Sequence, residues 1–166
     1  MTGASMSGHA LSVPAYIADA FVRCPPLIDY ATPWDMCAHA AEVVRAVLRA
    51  LDAEFTVAGE LAVHRTAVVE GGAVVRGPAV VSARCVVGAH AHLRGGVFLD
   101  CDVRVGPSCE VKASFVFQGA ALAHLNYVGD SLIGARVNLE AGAVLANRFN
   151  EREDKRIAVV DGGRLV

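Results

Sequence analysis

Three cationic residues, Arg76, Arg94 and Lys112, follow one another at intervals of 18 in this 166-residue chain, and a histidine, His124, stands 18 beyond Gly106. In a fold that repeats every 18 residues the three cations form one vertical column. At strand spacing, about 4.8 Å, they repel one another unless solvent or an anion lies among them. Two readings stay open on spacing alone. One is a phosphate or pyrophosphate site, with arginine suited to bidentate grip; the other is a solvated edge whose long side chains splay apart. A neighbouring column reads Glu70, Gly88, Gly106, His124. Two glycines beneath the histidine are expected to leave open space beside an imidazole able to act as a general base near neutrality; a purely structural histidine is the competing reading.

The elements that must position these residues are visible as a six-residue rhythm. From Leu61 the chain divides into LAVHRT, AVVEGG, AVVRGP, AVVSAR, CVVGAH, AHLRGG, VFLDCD, VRVGPS, CEVKAS, FVFQGA and ALAHLN. The third position of every hexad, from Val63 through Leu93, Val111 and Phe117 to Ala123, is apolar. At 54% apolar composition, eleven in a row arise by chance about once in a thousand. The first position is apolar throughout as well. After Ala123, two five-residue steps lead to Val128 and Ile133, and Leu139 and Leu145 resume the rhythm. Such a hexapeptide repeat predicts a β-helix in which three hexads close one triangular coil, the apolar pair filling the axis and Gly, Asp, Asn and Ser serving the corners.

Upstream, residues 1–31 read as an irregular lead-in in which Cys24-Pro25-Pro26 excludes a helix interior. Thr32-Pro33-Trp34-Asp35 is a helix start, with a capping threonine, proline in the first turn and an acid three residues after the cap. Val43, Val44, Val47, Leu48 and Leu51 form one stripe, so a single amphipathic helix is expected from Met36 to about Leu51; Trp34 is expected in the core. The organisation that follows is a lead-in and helix over 1–56, a β-helix over 57–149, and a loop with a terminal strand pair over 150–166.

Composition narrows the function classes. A net charge of −2 lacks the electrostatic footprint of a nucleic-acid binder. No uncharged apolar run reaches membrane-spanning length, and Asp19 and Arg23 interrupt the stretch where a secretory signal would lie. Five cysteines without CxxC spacing read as reduced thiols, so a cytoplasmic protein is expected. His90 and His92 are two apart and diverge on an extended chain, so no metal site is expected. The nucleotide-loop patterns GxGxxG and GxxxxGK[ST] and the GxSxG elbow are missing.

Several segments carry a family resemblance: Leu93-Arg94-Gly95-Gly96, Val103-Arg104-Val105-Gly106, Glu110-Val111-Lys112, the run from His124 to Ser131 (HLNYVGDS), and Val137-Asn138 through Ala141-Gly142 to Ala146-Asn147. They resemble the hexapeptide-repeat acyltransferases, in particular the acetyltransferase half of the bifunctional UDP-N-acetylglucosamine pyrophosphorylase/glucosamine-1-phosphate acetyltransferases and their short stand-alone relatives. The resemblance implies a mainly β chain folded as a left-handed parallel β-helix of about five coils, preceded by a short helical segment and assembled as a homotrimer with sites between neighbouring prisms. It implies that His124 is a general base toward a sugar amine, and that Arg94 and Lys112, with Arg76 beside them in the column, bind the sugar phosphate. Tyr127 and Asn138 would position the sugar, while Ala141 and Asn147 would lie at the acyl donor, acetyl-CoA or another acyl-CoA. The family's further coils, which carry much of the coenzyme A site, have no counterpart after Asn147; a non-catalytic sugar-phosphate or nucleotide-sugar binding module is therefore the alternative expectation.

Overall fold

A computed structural model describes residues 12–146, 151–154, 160–161 and 164–165. Short parallel strands wind into a three-walled β-helix of about five coils. Wall one stacks β2 (Leu61–His64), β5 (Ala79–Val81), the second halves of β7 (His92–Leu99) and β9 (Glu110–Val116), and β12 (Leu132–Ile133). Wall two stacks β3 (Val68–Val69), β6 (Val86–Val87), β8 (Arg104–Val105), β10 (Ala121–Leu122) and β13 (Asn138–Leu139). Wall three stacks β4 (Val74–Val75), the first halves of β7 and β9, β11 (Tyr127–Gly129) and β14 (Val144–Leu145). An antiparallel strand, β1 (Phe55–Ala58), borders β2, and β15 (Val160–Asp161) pairs with β16 (Arg164–Leu165) as a small hairpin.

The axis is filled by the β-branched and leucine side chains that the hexads offered, among them Val81, Val87, Leu93, Leu99, Val105 and Val111, all buried. Four positions of the expected inward set are corrected: Phe115 points outward and Ala120 replaces Ala121 in the axis, and both third positions shift with them. Val116, not Phe117, stacks on Leu99, and Leu122, not Ala123, stacks on Val105. The reason lies at the corner from wall three to wall one. There Arg94-Gly95-Gly96-Val97 is answered one coil later by Lys112-Ala113-Ser114, one residue fewer, and the register shifts at that point. Ala113 closes the tighter corner with φ of 46°. The first five-residue step is therefore Val111 to Val116, a coil earlier than the sequence rhythm indicated, and the second is Val128 to Ile133. Coils beyond it repeat every 17 residues: Leu122 pairs with Leu139 and Val128 with Leu145.

Wall one is apolar on both sides, and its outer side is where the N-terminal segment packs. Ala62, Val80, Phe98 and Phe115 point outward and join Val13, Ala20, Cys24, Leu27, Met36, Ala40, Val43 and Val44 in a second core, which also takes in the displaced Phe117. The lead-in is more regular than its composition indicated, with α1 (Val13–Tyr16), α2 (Ala20–Arg23) and a 3-10 turn over Pro25–Asp29. Thr32 caps α3 (Pro33–Ala38), its Oγ1 accepting from the Asp35 amide at 3.2 Å. The expected single helix is instead two, because His39 adopts φ −105°, ψ 19° and separates α3 from α4 (Ala40–Leu48). That break lets the start of α4 press onto Gly96, where a Cβ would come within 2.4 Å of the Ala41 nitrogen. Trp34 is not core: it is 48% exposed. Arg23 ties the segment down through a two-pronged bridge to Asp100, at 2.7 and 2.5 Å, and Asp100 is only 3% exposed.

The glycines under His124 do the opposite of leaving room. A Cβ on Gly106 would fall 1.5 Å from the Ala123 carbonyl oxygen, and one on Gly88 would meet Pro107 at 2.8 Å. They are glycines because the next coil's backbone lies against them. Gly106→Ala is expected to cost about 3 kcal/mol or more and to lower the thermal midpoint sharply. Gly71→Ala, with nothing within 4 Å of its Cβ, is the control expected to melt like the wild type; equal melting of both variants would contradict this packing.

Candidate functional site

Wall three is bounded by two corners that hold candidate residues. Its outgoing corner, toward wall one, holds the cationic column. Arg94 lies in register with Lys112, and the Arg76 amide donates to the Leu93 carbonyl one coil above. The sequence spacing thus corresponds to real stacking. The column is not left to repel itself, however. Arg94 donates through Nε and its terminal nitrogen to a single Glu110 oxygen, at 2.8 and 2.6 Å. Lys112 Nζ reaches both oxygens of Asp130, at 3.0 and 2.8 Å. Asp130 follows Gly129, the rung above Lys112, and its amide donates to the Lys112 carbonyl. Arg76, at the lower end, is exposed and pairs with no carboxylate among the described residues. Neither Glu110 nor Asp130 was singled out from the sequence as a partner of the column; the signal was the opposite charge 16 residues from Arg94 and 18 from Lys112.

Helix α3 walls this corner from the side. Burial pushes the Cys37 thiol up to about 12, with the charge of Asp130 adding to the rise and that of Lys112 opposing it. This places Cys37 within electrostatic reach of the Lys112–Asp130 pair.

The incoming corner of wall three, from wall two, carries His124. Its side chain is exposed, and its backbone is held from above, the Gly142 amide donating to the His124 carbonyl at 2.9 Å. Leu125 donates to Pro107 below and stands at φ 56° with 68% exposure. Asn126, nearly fully buried, locks the turn: its Oδ1 accepts from the Ala143 amide at 2.8 Å and its Nδ2 donates to the Leu139 carbonyl at 3.3 Å. Asn126 is a positional residue that the sequence reading quoted but gave no task. Ala141 is exposed in the turn stacked directly over His124, beside Gly142.

Tyr127 lies between the two corners, on the outer side of wall three. Its ring lies over Gly129, where a Cβ would sit 2.8 Å from the phenolic oxygen. Gly129 is itself in register with Lys112, so the Tyr127 hydroxyl points along the wall toward the cations. His124 is five residues upstream of Gly129, at most roughly 17 Å along an extended chain. His124, Tyr127 and the column therefore share one wall, the histidine at one end and the cations at the other. Asn138 does not join them. It is exposed on wall two, paired with Ala121, and its Nδ2 donates to Glu140 Oε1 at 2.6 Å. Asn147 lies outside the described residues.

A cavity of about 260 Å³ opens elsewhere, between α1–α2 and the corner from wall one to wall two, lined by Tyr16, Asp19, Arg23, Asp100, Gln118 and Arg136 among others. None of the candidate residues lines it. Among the described residues, no group of three or more His, Cys, Asp or Glu side chains is gathered as for a metal ion, and no helix is long and apolar enough to cross a membrane.

Comparison with known proteins bears on this wall. Over 100 residues, 60% of its length, the chain is 45% identical to the bifunctional sugar-1-phosphate nucleotidylyltransferase/acetyltransferase of Sulfurisphaera tokodaii. That part of the chain is thus similar in sequence to a protein named as a sugar-1-phosphate nucleotidylyltransferase/acetyltransferase. It is also 42% identical over 60 residues to the bifunctional protein GlmU of Bartonella quintana, a match covering 36% of this chain. The chain spans about a quarter of the length of the first relative (25%) and about an eighth of the second (13%). No family model matches. Among solved structures, the acetyltransferase domain of PglB from Neisseria gonorrhoeae aligns with a TM-score of 0.44 at 20% identity, covering 72% of this chain and 67% of that one; so loose a likeness adds nothing on function.

Because Asp130 holds Lys112, an anion arriving at this hexapeptide-repeat corner must compete with it. Asp130→Asn is expected to tighten binding of inorganic phosphate severalfold in calorimetric titration at low salt; unchanged or weaker binding would contradict competition at Lys112.

Proposed function

We propose that this protein is a sugar N-acyltransferase that takes an acyl group from acetyl-CoA or another acyl-CoA and transfers it to the amine of an amino-sugar phosphate or nucleotide sugar. The observation that carries the reading is the sharing of wall three by His124 and the Arg94–Lys112 column, with Tyr127 between. Lysine and histidine side chains reach roughly 6 and 4.5 Å from their Cα atoms. These reaches, with a hydrogen bond at each end, cover most of a separation of at most about 17 Å, so both corners could engage one amino-sugar phosphate. The phosphate would displace Glu110 and Asp130 from Arg94 and Lys112, with Arg76 adding charge from below. The Tyr127 hydroxyl would meet the sugar ring.

His124 then serves as the general base. Its imidazole accepts a proton from the sugar amine as the nitrogen attacks the thioester carbonyl; the C–N bond forms, the C–S bond breaks, and the thiolate of CoA leaves with a proton. Holding amine and thioester together supplies much of the acceleration, and base catalysis contributes a further factor of about 10² to 10⁴. The exposed turn at Ala141, directly above His124, is where the thioester would lie; a contribution from Asn147, which is outside the described residues, belongs to the same proposal. Asn138, around the corner on wall two, would act on a substrate held between copies of the chain, as in a homotrimer.

The test is release of CoA from acetyl-CoA with glucosamine 1-phosphate as acceptor. His124→Ala is expected to lower kcat by about 10² or more with KM little changed. Arg94→Met and Lys112→Met are expected chiefly to raise the acceptor KM. Acceptor binding with no CoA release in the wild type would instead favour a non-catalytic binding module.

A further inference from the structure

We propose that His92 is a positioning residue for the anion site: its Nε2–H takes over the Glu110 carboxylate when an incoming phosphate displaces it from Arg94. The inference rests on the reading of Arg94 as a phosphate ligand and goes beyond it by assigning what happens to the displaced carboxylate.

Among the described residues, the His92 Nε2 is the one buried side-chain nitrogen or oxygen left without a hydrogen-bond partner. Such an atom is costly, because it has lost water and gained nothing in exchange. Its surroundings offer the missing partner. Leu93 and Val111 point into the axis, so His92, Arg94, Glu110 and Lys112 all project from the outer side of wall three. His92 is the in-register neighbour of Glu110 on the adjoining parallel strand, about 4.8 Å away in the pairing direction. The Glu110 side chain instead leans along the strand to Arg94, two residues further on, and places one oxygen between two guanidinium nitrogens. The other groups stacked in the His92 column are Val74 below and Tyr127 above Glu110, neither of which competes for the imidazole as an ion.

Glu110 therefore has two candidate partners on the adjoining strand, one satisfied and one with an unpartnered nitrogen. In the empty site it neutralises Arg94. When a phosphate takes the guanidinium, the carboxylate would be stranded beside a dianion unless it turned to its in-register neighbour. The waiting Nε2–H of His92 supplies that bond, satisfies the orphaned nitrogen, and removes a negative charge from the path of the substrate. No covalent bond changes, and the one exchange is of hydrogen-bond partners at Glu110.

Histidine-selective ¹⁵N NMR on the full chain tests this. In Arg94→Met, which frees Glu110 without any ligand, a slowly exchanging, hydrogen-bonded Nε2–H of His92 is expected to appear, and to be absent from Arg94→Met/Glu110→Gln. Titrating the wild type with inorganic phosphate is expected to produce the same signal. A His92 resonance unchanged by Arg94→Met and by saturating phosphate overturns the exchange. A signal in Arg94→Met with no binding of phosphate to the wild type overturns the coupling and, separately, removes Arg94 as an anion ligand. Phosphate binding with His92 unmoved overturns the exchange alone and leaves the anion site standing. In the acyl-transfer assay, His92→Ala is expected to raise the acceptor KM three- to tenfold at constant kcat, and His92→Gln, whose amide can donate to Glu110, to restore it to within about twofold. Equal defects in the two variants would overturn the assignment.

Discussion

Backbone hydrogen bonding between successive coils decides which side chains of this protein can meet. Each strand of a wall lies in parallel register with the one below, so residues 17 or 18 apart share a rung whatever their chemistry. Charges are then forced into neighbourhood, and the chain answers by placing carboxylates beside the cationic rungs: Asp130 one residue past the rung above Lys112, and Glu110 diagonal to Arg94. The same register puts His124 and the cations at the two ends of one wall. On the proposed reading, a substrate spanning that wall would be recognised by the spacing of two corners, which the coil fixes, rather than by a mobile loop.

The N-terminal helices contribute to the same geometry from the other side of the corner. Wall one is buried on both its faces, and the second core beneath α2, α3 and α4 holds Phe98, Phe115 and Phe117. The start of α4 rests on Gly96, two residues after Arg94, and Cys37 of α3 lies within electrostatic reach of Lys112 and Asp130. The corner that carries the column is therefore clamped between the prism and its own helical cover. Among the described residues, the helical segment covers wall one alone of the three.

Much of this was legible in the residues. The hexad pattern predicts the β-helix, and the 18-residue spacing of Arg76, Arg94 and Lys112 predicts their stacking, because both follow from periodicity alone. The shortened corner at Lys112-Ala113-Ser114 was not legible, since Phe117 and Ala123 are as apolar as the Val116 and Leu122 that actually turn inward. The cover on wall one left a signal that periodicity does not weigh: AVV, VFL and SFVF carry large apolar residues at outward positions too, as a strand buried on both sides requires. The glycines beneath His124 were misread as space because a missing side chain and a close backbone contact look alike in a sequence. The break at His39 was hidden because the apolar stripe continues across it. Partnership of the cations with Glu110 and Asp130 depended on side-chain direction, which no spacing rule contains.

The central claim is that a sugar phosphate lies along wall three with its two ends at the two corners. A crystal structure of the protein with glucosamine 1-phosphate and CoA tests it most directly. The account predicts the phosphate within hydrogen-bond distance of Arg94 and Lys112, the sugar against Tyr127, and the amine at the His124 imidazole. Ligand bound with its phosphate away from that column, or with its amine remote from every copy of His124, would contradict it.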